Sequence, residues 1–124
     1  TELLAEIRIP NLPIHSGGSY LWLPKITAVD ESLVGVGVLI DVDDLIHKTC
    51  TMARIGLGSV APTPIRAKNA EEVLKGKRIE DIVCRQVAEV AANEASPRSR
   101  AEYRREMVKV FVKRALYRAL KKIK

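Results

Sequence analysis

The stretch SLVGVGVLIDVDDLIHKTCTMARIGLGSVA, residues 32–61, decides the fold. Its opening, SLVGVGVLIDV, is β-branched and nearly all apolar, the composition of a central strand covered on both faces. Asp43 and Asp44 are good turn residues. DVDDLIHK therefore reads as a hairpin tip and KTCTMARIGLGSVA as the return strand. Each strand carries a G-x-G: Gly35 and Gly37 in the first, Gly56 and Gly58 in the second. A period of two puts each pair on a single face. A stripe without side chains is expected to admit a closely packed helix.

Upstream, LLAEIRIP places Ala5, Ile7 and Ile9 on one face and Glu6 and Arg8 on the other, which predicts a half-buried strand ending at Pro10. NLPIHSGGS reads as a loop, because Pro10, Pro13, Gly17 and Gly18 crowd together. YLWLPK is a short extended piece broken by Pro24. Downstream the period changes. IRAKNAEEVLKGK has an apolar stripe of Ala67, Ala70, Val73 and Leu74, with Gly76 as a stop. IEDIVCRQVAEVAANEA repeats Ile79, Ile82, Val83, Val87, Val90 and Ala91 at helical spacing, up to Pro97. A last helix is predicted from about Ser99, with Tyr103, Met107, Val110, Phe111, Leu116, Leu120 and Ile123 on or near one side. Strands followed by helices indicate the α+β class. The expected architecture is one domain over residues 1–124, an antiparallel sheet of three to four strands followed by a three-helix bundle on one face.

With 124 residues and 47% hydrophobic composition, the chain can bury its own core. Cys50 and Cys84 are far apart and make no disulfide framework, so a reducing, cytoplasmic compartment is expected. With only His15 and His47 besides, a zinc site is improbable. No apolar run approaches a membrane span. The net charge of +6 is uneven: Arg98 to Lys124 hold 11 Lys or Arg and 2 acids, leaving 10 and 13 in the first 97 residues.

Candidate chemistry is sparse. Gly56, Gly58 and Ala61 spell G-x-G-x-x-A, a variant of the dinucleotide fingerprint, and Glu80 lies about twenty residues on. The fingerprint needs a helix whose N-terminus faces the phosphates. Pro62 and Pro64 stand where that helix should begin, and Thr63 before a proline is pushed out of the helical region. The glycines therefore read as structural. Ser16 and Ser19 lie near His15 without an orienting acid. The acid pairs, such as Asp30-Glu31 and Glu80-Asp81, sit in turns or first helical turns. Cys84 falls on or near an apolar stripe as an inert thiol. No catalytic, cofactor-binding or metal residue is assigned. The basic last helix allows an alternative, a nucleic-acid-binding protein using Arg104, Arg105, Lys109 and Lys113. Against it, Tyr103 and Phe111 fall on the apolar stripe.

VGVGVLI, ARIGLGSVAPTPIRAKNAEEVLKGK and SPRSRAEYRREMVKVFVKRAL together resemble the C-terminal domain of the FAD-binding (medium) subunit of molybdenum hydroxylases, the carbon monoxide and xanthine dehydrogenase group. GSVAPTPIRA and AEYRREM are the most specific pieces, and LLAEIRIP matches the strand that begins that domain. The resemblance implies a three-stranded antiparallel sheet with a helical bundle. It implies that FAD is held by two preceding domains, which this sequence does not contain. It implies a role in covering the flavin edge and in docking, with an FAD-binding polypeptide, an iron–sulfur subunit and a molybdopterin subunit as partners. Family members often carry a basic pair before the D-x-A/S-x-V-G-V strand. Here Asp30 is kept, but Ile26 and Thr27 replace the pair and only Lys25 remains. The segment between Pro97 and Tyr103 is also shorter than is common. Apolar faces left without partner domains imply self-association, as a two-fold dimer.

Overall fold

A computed structural model of the chain describes residues 2–26, 29–97 and 101–123. Strands β1 (Ser16–Ile26), β2 (Val29–Val42), β3 (Cys50–Gly58) and β4 (Ile65–Arg66) precede helices α1 (Lys68–Leu74), α2 (Asp81–Glu94) and α3 (Ala101–Lys121). The strands form one antiparallel sheet in the order β1-β2-β3-β4. This is the α+β arrangement expected from strands followed by helices.

The helices cover one face. Val34, Val36, Val38, Ile40 and Val42 alternate inward along β2, and Ala53, Ile55 and Leu57 do so along β3. α3 packs on β1 and β2, α1 packs on β3, and α2 packs on both other helices. α2 buries Cys84, Val87, Ala88, Ala91 and Ala92. α3 buries Val108, Val112, Ala115, Leu116 and Ala119. These sets repeat at helical spacing and remove a continuous apolar stripe from water.

Five expectations need correction. LLAEIRIP is not a strand of this sheet: residues 2–13 form no regular element, residues 2–14 are exposed, and no strand of the domain pairs with them. Its pattern is a strand pattern without a partner. The residues read as loop, Ser16 to Ser19, instead open β1, because small residues there let α3 ride close. A Cβ on Gly17 would lie 2.1 Å from the Ala119 carbonyl oxygen, and Ser19 Oγ donates to the Ala115 carbonyl at 2.7 Å. β4 went unrecognised because two residues carry no period. The α3 stripe is displaced, with Tyr103 47% exposed and alanines in the core, since close helix contact favours small side chains over large ones. Ile82, expected inward on α2, is 67% exposed.

The turns were legible. Asp43 Oδ1 accepts from the Asp44 and Thr49 amides, and Asp44 Oδ1 from those of Ile46 and His47. Gly76 ends α1 with φ +81°, the left-handed conformation that favours glycine. α1 has no side-chain cap of its own. The Glu94 carboxylate at the end of α2 accepts from the Asn69 and Ala70 amides at 3.0 and 3.2 Å instead. Thr27 and residues 98–100 lie outside the described residues, as do the side chains of Lys25, Ile26 and Asp30. The departures noted from the family pattern therefore fall outside them too.

Candidate functional site

Because the even-numbered residues of β2 face the helices, Gly35 and Gly37 face the other way. They stand opposite Gly58 and Gly56 of β3, and opposite Trp22 and Tyr20 of β1. The expectation that the glycine stripe admits a helix is thus overturned. The bulky valines took the helix side, so the stripe floors the open face of the sheet.

Tyr20 lies across the floor. A Cβ on Gly35 would sit 2.6 Å from its hydroxyl, and one on Gly37 would sit 3.5 Å from its ring. Tyr20 and Trp22 stack with centroids 6.2 Å apart and planes at 21°. Both stay more than half exposed, at 61% and 56%. Beyond them a shallow depression of about 260 Å³ runs over Gly37, Gly56 and Gly58 to Pro64 and Ile65. Its floor is main chain already paired in the ladder, and no charged side chain lines it. Such a surface offers flat packing and aromatic edges, not acid–base or nucleophilic chemistry.

At the β3 edge, where β4 is too short to continue the ladder, Glu71 of α1 takes over. Its Oε2 accepts from the Ile55 amide at 2.9 Å and from Arg66 Nε at 3.1 Å, and Arg66 Nη2 reaches Oε1. Glu71 is only 6% exposed. Burial opposes its charge, but the Arg66 guanidinium and the Ile55 N–H outweigh burial and hold the carboxyl below its ordinary value.

The sequence candidates fall elsewhere. Gly56 and Gly58 lie within β3, and no helix follows until Lys68. The α1 amides that a phosphate would need are occupied by the Glu94 carboxylate. Residues of the G-x-G-x-x-A stretch therefore do not fit a dinucleotide pyrophosphate. Ser16 Oγ donates to the Pro13 carbonyl and Ser19 Oγ to that of Ala115, so both hydroxyls serve the backbone. Four basic residues of α3 have partners within the domain. Arg104 donates to the Ser59 carbonyl, and Arg105 to the Ala95 carbonyl at 3.3 Å. Lys109 pairs with Glu106 and Glu89, and Lys113 with Asp81. These contacts engage all four side chains on which the nucleic-acid reading rested. Asp81 also accepts from the Tyr117 hydroxyl at 2.6 Å and pairs with Arg85. Sequence reasoning missed Tyr20 and Trp22, which β-strand alternation on β1 places on the open face.

Cys50 and Cys84 are buried, and burial pushes both thiols up to about 11. Iodoacetamide at mildly alkaline pH should leave the native protein unmodified and alkylate both thiols once urea unfolds it. Rapid labelling before unfolding, read by mass spectrometry, would contradict this burial. Among the described residues, no helix is long and apolar enough to cross a membrane.

The family described as CO dehydrogenase flavoprotein C-terminal domain matches residues 24–119. The carbon monoxide dehydrogenase medium chain of Afipia carboxidovorans is 33% identical over 122 residues, covering 95% of this chain and 41% of that protein. The nicotinate dehydrogenase FAD-subunit of Eubacterium barkeri is 32% identical over 75 residues, covering 60% of this chain and 25% of that protein. A solved structure of carbon monoxide dehydrogenase from Hydrogenophaga pseudoflava superposes with TM-score 0.84 at 30% identity, over 94% of this chain and 40% of its own. This chain thus spans about two-fifths of the medium chain's length.

Proposed function

The chain belongs to the family of CO dehydrogenase flavoprotein C-terminal domains, and from that premise we propose that it is a structural and docking domain of the FAD subunit of a molybdenum-dependent oxidoreductase. It is non-catalytic by itself, and it supports subunit assembly and the flavin edge. The observation that carries this reading is the open sheet face. Tyr20 and Trp22 stand exposed beside a glycine floor, an apolar surface with the marks of an interface. In the proposed assembly an FAD-binding polypeptide covers that face and holds the cofactor, since among the described residues the G-x-G-x-x-A stretch offers no free helix N-terminus to a phosphate. Iron–sulfur and molybdopterin subunits complete the complex.

The purified chain should be colourless. The probe for docking is the part of the A. carboxidovorans medium chain that lies outside the match, loaded with FAD. It should form a complex in which the emission of Trp22, the only tryptophan, moves to shorter wavelength. Replacing Tyr20 and Trp22 together by alanine should weaken that complex about thirtyfold, the size expected for aromatic anchors. A stoichiometric flavin spectrum from the chain alone, or unchanged Trp22 emission in the complex, would count against the proposal.

A further inference from the structure

The two edges of the sheet differ. At one, β4 is two residues long, and Glu71 takes the Ile55 amide that β4 leaves open. β1 is the other edge, and it pairs with β2 alone. Its register runs unbroken from Ser16↔Asp41 to Leu23↔Val34. The Val42 N–H donates to the His15 carbonyl, which fixes the phase of this ladder. Odd-numbered residues of β1 therefore direct their main-chain groups at β2. The N–H and C=O groups of Gly18, Tyr20 and Trp22 point away from the sheet. Among the described residues, no other main-chain group meets them.

Natural sheet edges are blunted by charges, prolines or bulges. SGGSYLWL, Ser16 to Leu23, has none of these, and the first proline and first shift in register come at Pro24. We propose that this edge pairs with the same edge of a second copy, antiparallel about a two-fold axis at Tyr20. Tyr20 then faces Tyr20 and Gly18 faces Trp22 across the axis, each pair exchanging both main-chain hydrogen bonds. Pro24, with no N–H to give, ends the run. The side chains suit this register. Gly18 has nothing to obstruct the indole opposite it, and Tyr20 leans inward over Gly35 and Gly37 of its own sheet. A two-fold contact sets each group against its own copy, which a charged edge would resist and this one does not. An edge alone is a small interface, so a dissociation constant of about 10 μM is expected. The contact uses the edge of the sheet, whereas the docking role above uses its face, so either can fail without the other.

The test is light scattering and amide hydrogen exchange on the chain alone. The mass should be that of a dimer at about 100 μM and that of a monomer at about 1 μM. The Gly18, Tyr20 and Trp22 amides should exchange at least tenfold more slowly in the concentrated sample, while their odd-numbered neighbours, held by β2, stay protected in both. Trp22→Lys leaves the main-chain groups in place and sets a charge at the edge. It should melt as the parent does and weaken the dimer at least tenfold. Tyr20→Pro removes the central N–H and should abolish the dimer. A chain that stays monomeric at the higher concentration overturns the proposal. So does a dimer that Trp22→Lys leaves unweakened, or one whose Gly18, Tyr20 and Trp22 amides exchange at the monomer rate, since either places the contact elsewhere.

Discussion

Gly17→Ala should cost the domain about 3 kcal/mol, the upper end for forcing an extra methyl into a packed interior, read as a lowered urea midpoint. The added Cβ would meet the Ala119 carbonyl oxygen at 2.1 Å and Ile123 Cγ1 at 3.0 Å. The first obstacle is main chain and cannot swing aside. β1 is held in register by the pairing of Gly17 with Ile40, and α3 is tied to β1 by the Ser19–Ala115 bond. Relief requires α3 to lift off β1, which opens the packing around Leu116 and Ala119. Gly58→Ala is the control. Nothing lies within 4 Å of a Cβ there, so its midpoint should stay within about 0.5 kcal/mol of the parent. Equal midpoints for the two variants would mean that α3 does not sit over Gly17.

Glu71→Ala should cost about 3 kcal/mol in the same measurement, since it strands a buried Ile55 N–H and breaks an ion pair. The carboxylate is the only partner that the Ile55 amide has at this edge of β3 among the described contacts. The pH dependence has a definite sign. The native carboxyl is held below its ordinary value of 4.5. Just below that pH the unfolded chain therefore binds more protons than the native one. The stabilisation is present above pH 4.5 and is lost as pH falls through the lower, native value. Glu71→Gln keeps the shape without the titration, so its midpoint should fall less steeply on acidification. Asp81 is also held low, first by the Tyr117 hydroxyl, and Asp44 is held at about 2 by the His47 amide, so part of the acid loss should survive the substitution. Parallel acid profiles for Glu71→Gln and the parent would remove Glu71 from the account.

The order of elements was legible because periods of two and of 3.6 differ plainly in this chain. The β2–β3 hairpin, its Asp43-Asp44 turn and the Gly76 stop followed from local chemistry. What the sequence hid depends on partners. Ser16 to Ser19 look like a loop until α3 is laid over them, and then the missing side chains explain the strand. Ala115 and Ala119 stood outside the predicted stripe, yet they are buried and let α3 approach. The glycine pairs were correctly grouped by face, but the valines between them decide which face the helices take. Leu3 to Ile9 carry a strand pattern, and no local rule reports that the described sheet gives them no neighbour. Glu71 read as one more helix acid, because its use, closing the β3 edge, depends on an amide sixteen residues away.

The Glu94 carboxylate at the head of α1 also shapes how the chain comes together. Seven residues are too few for a helix to persist by itself, where about 12–15 are marginal. The Asn69 and Ala70 amides have their acceptor only when the far end of α2 is already wound and in place. α1 is therefore a conditional element, one that forms after or together with a helix made later on the ribosome. Glu71, which seals β3, waits on the same event, so the sheet edge and the bundle mature as one cooperative unit.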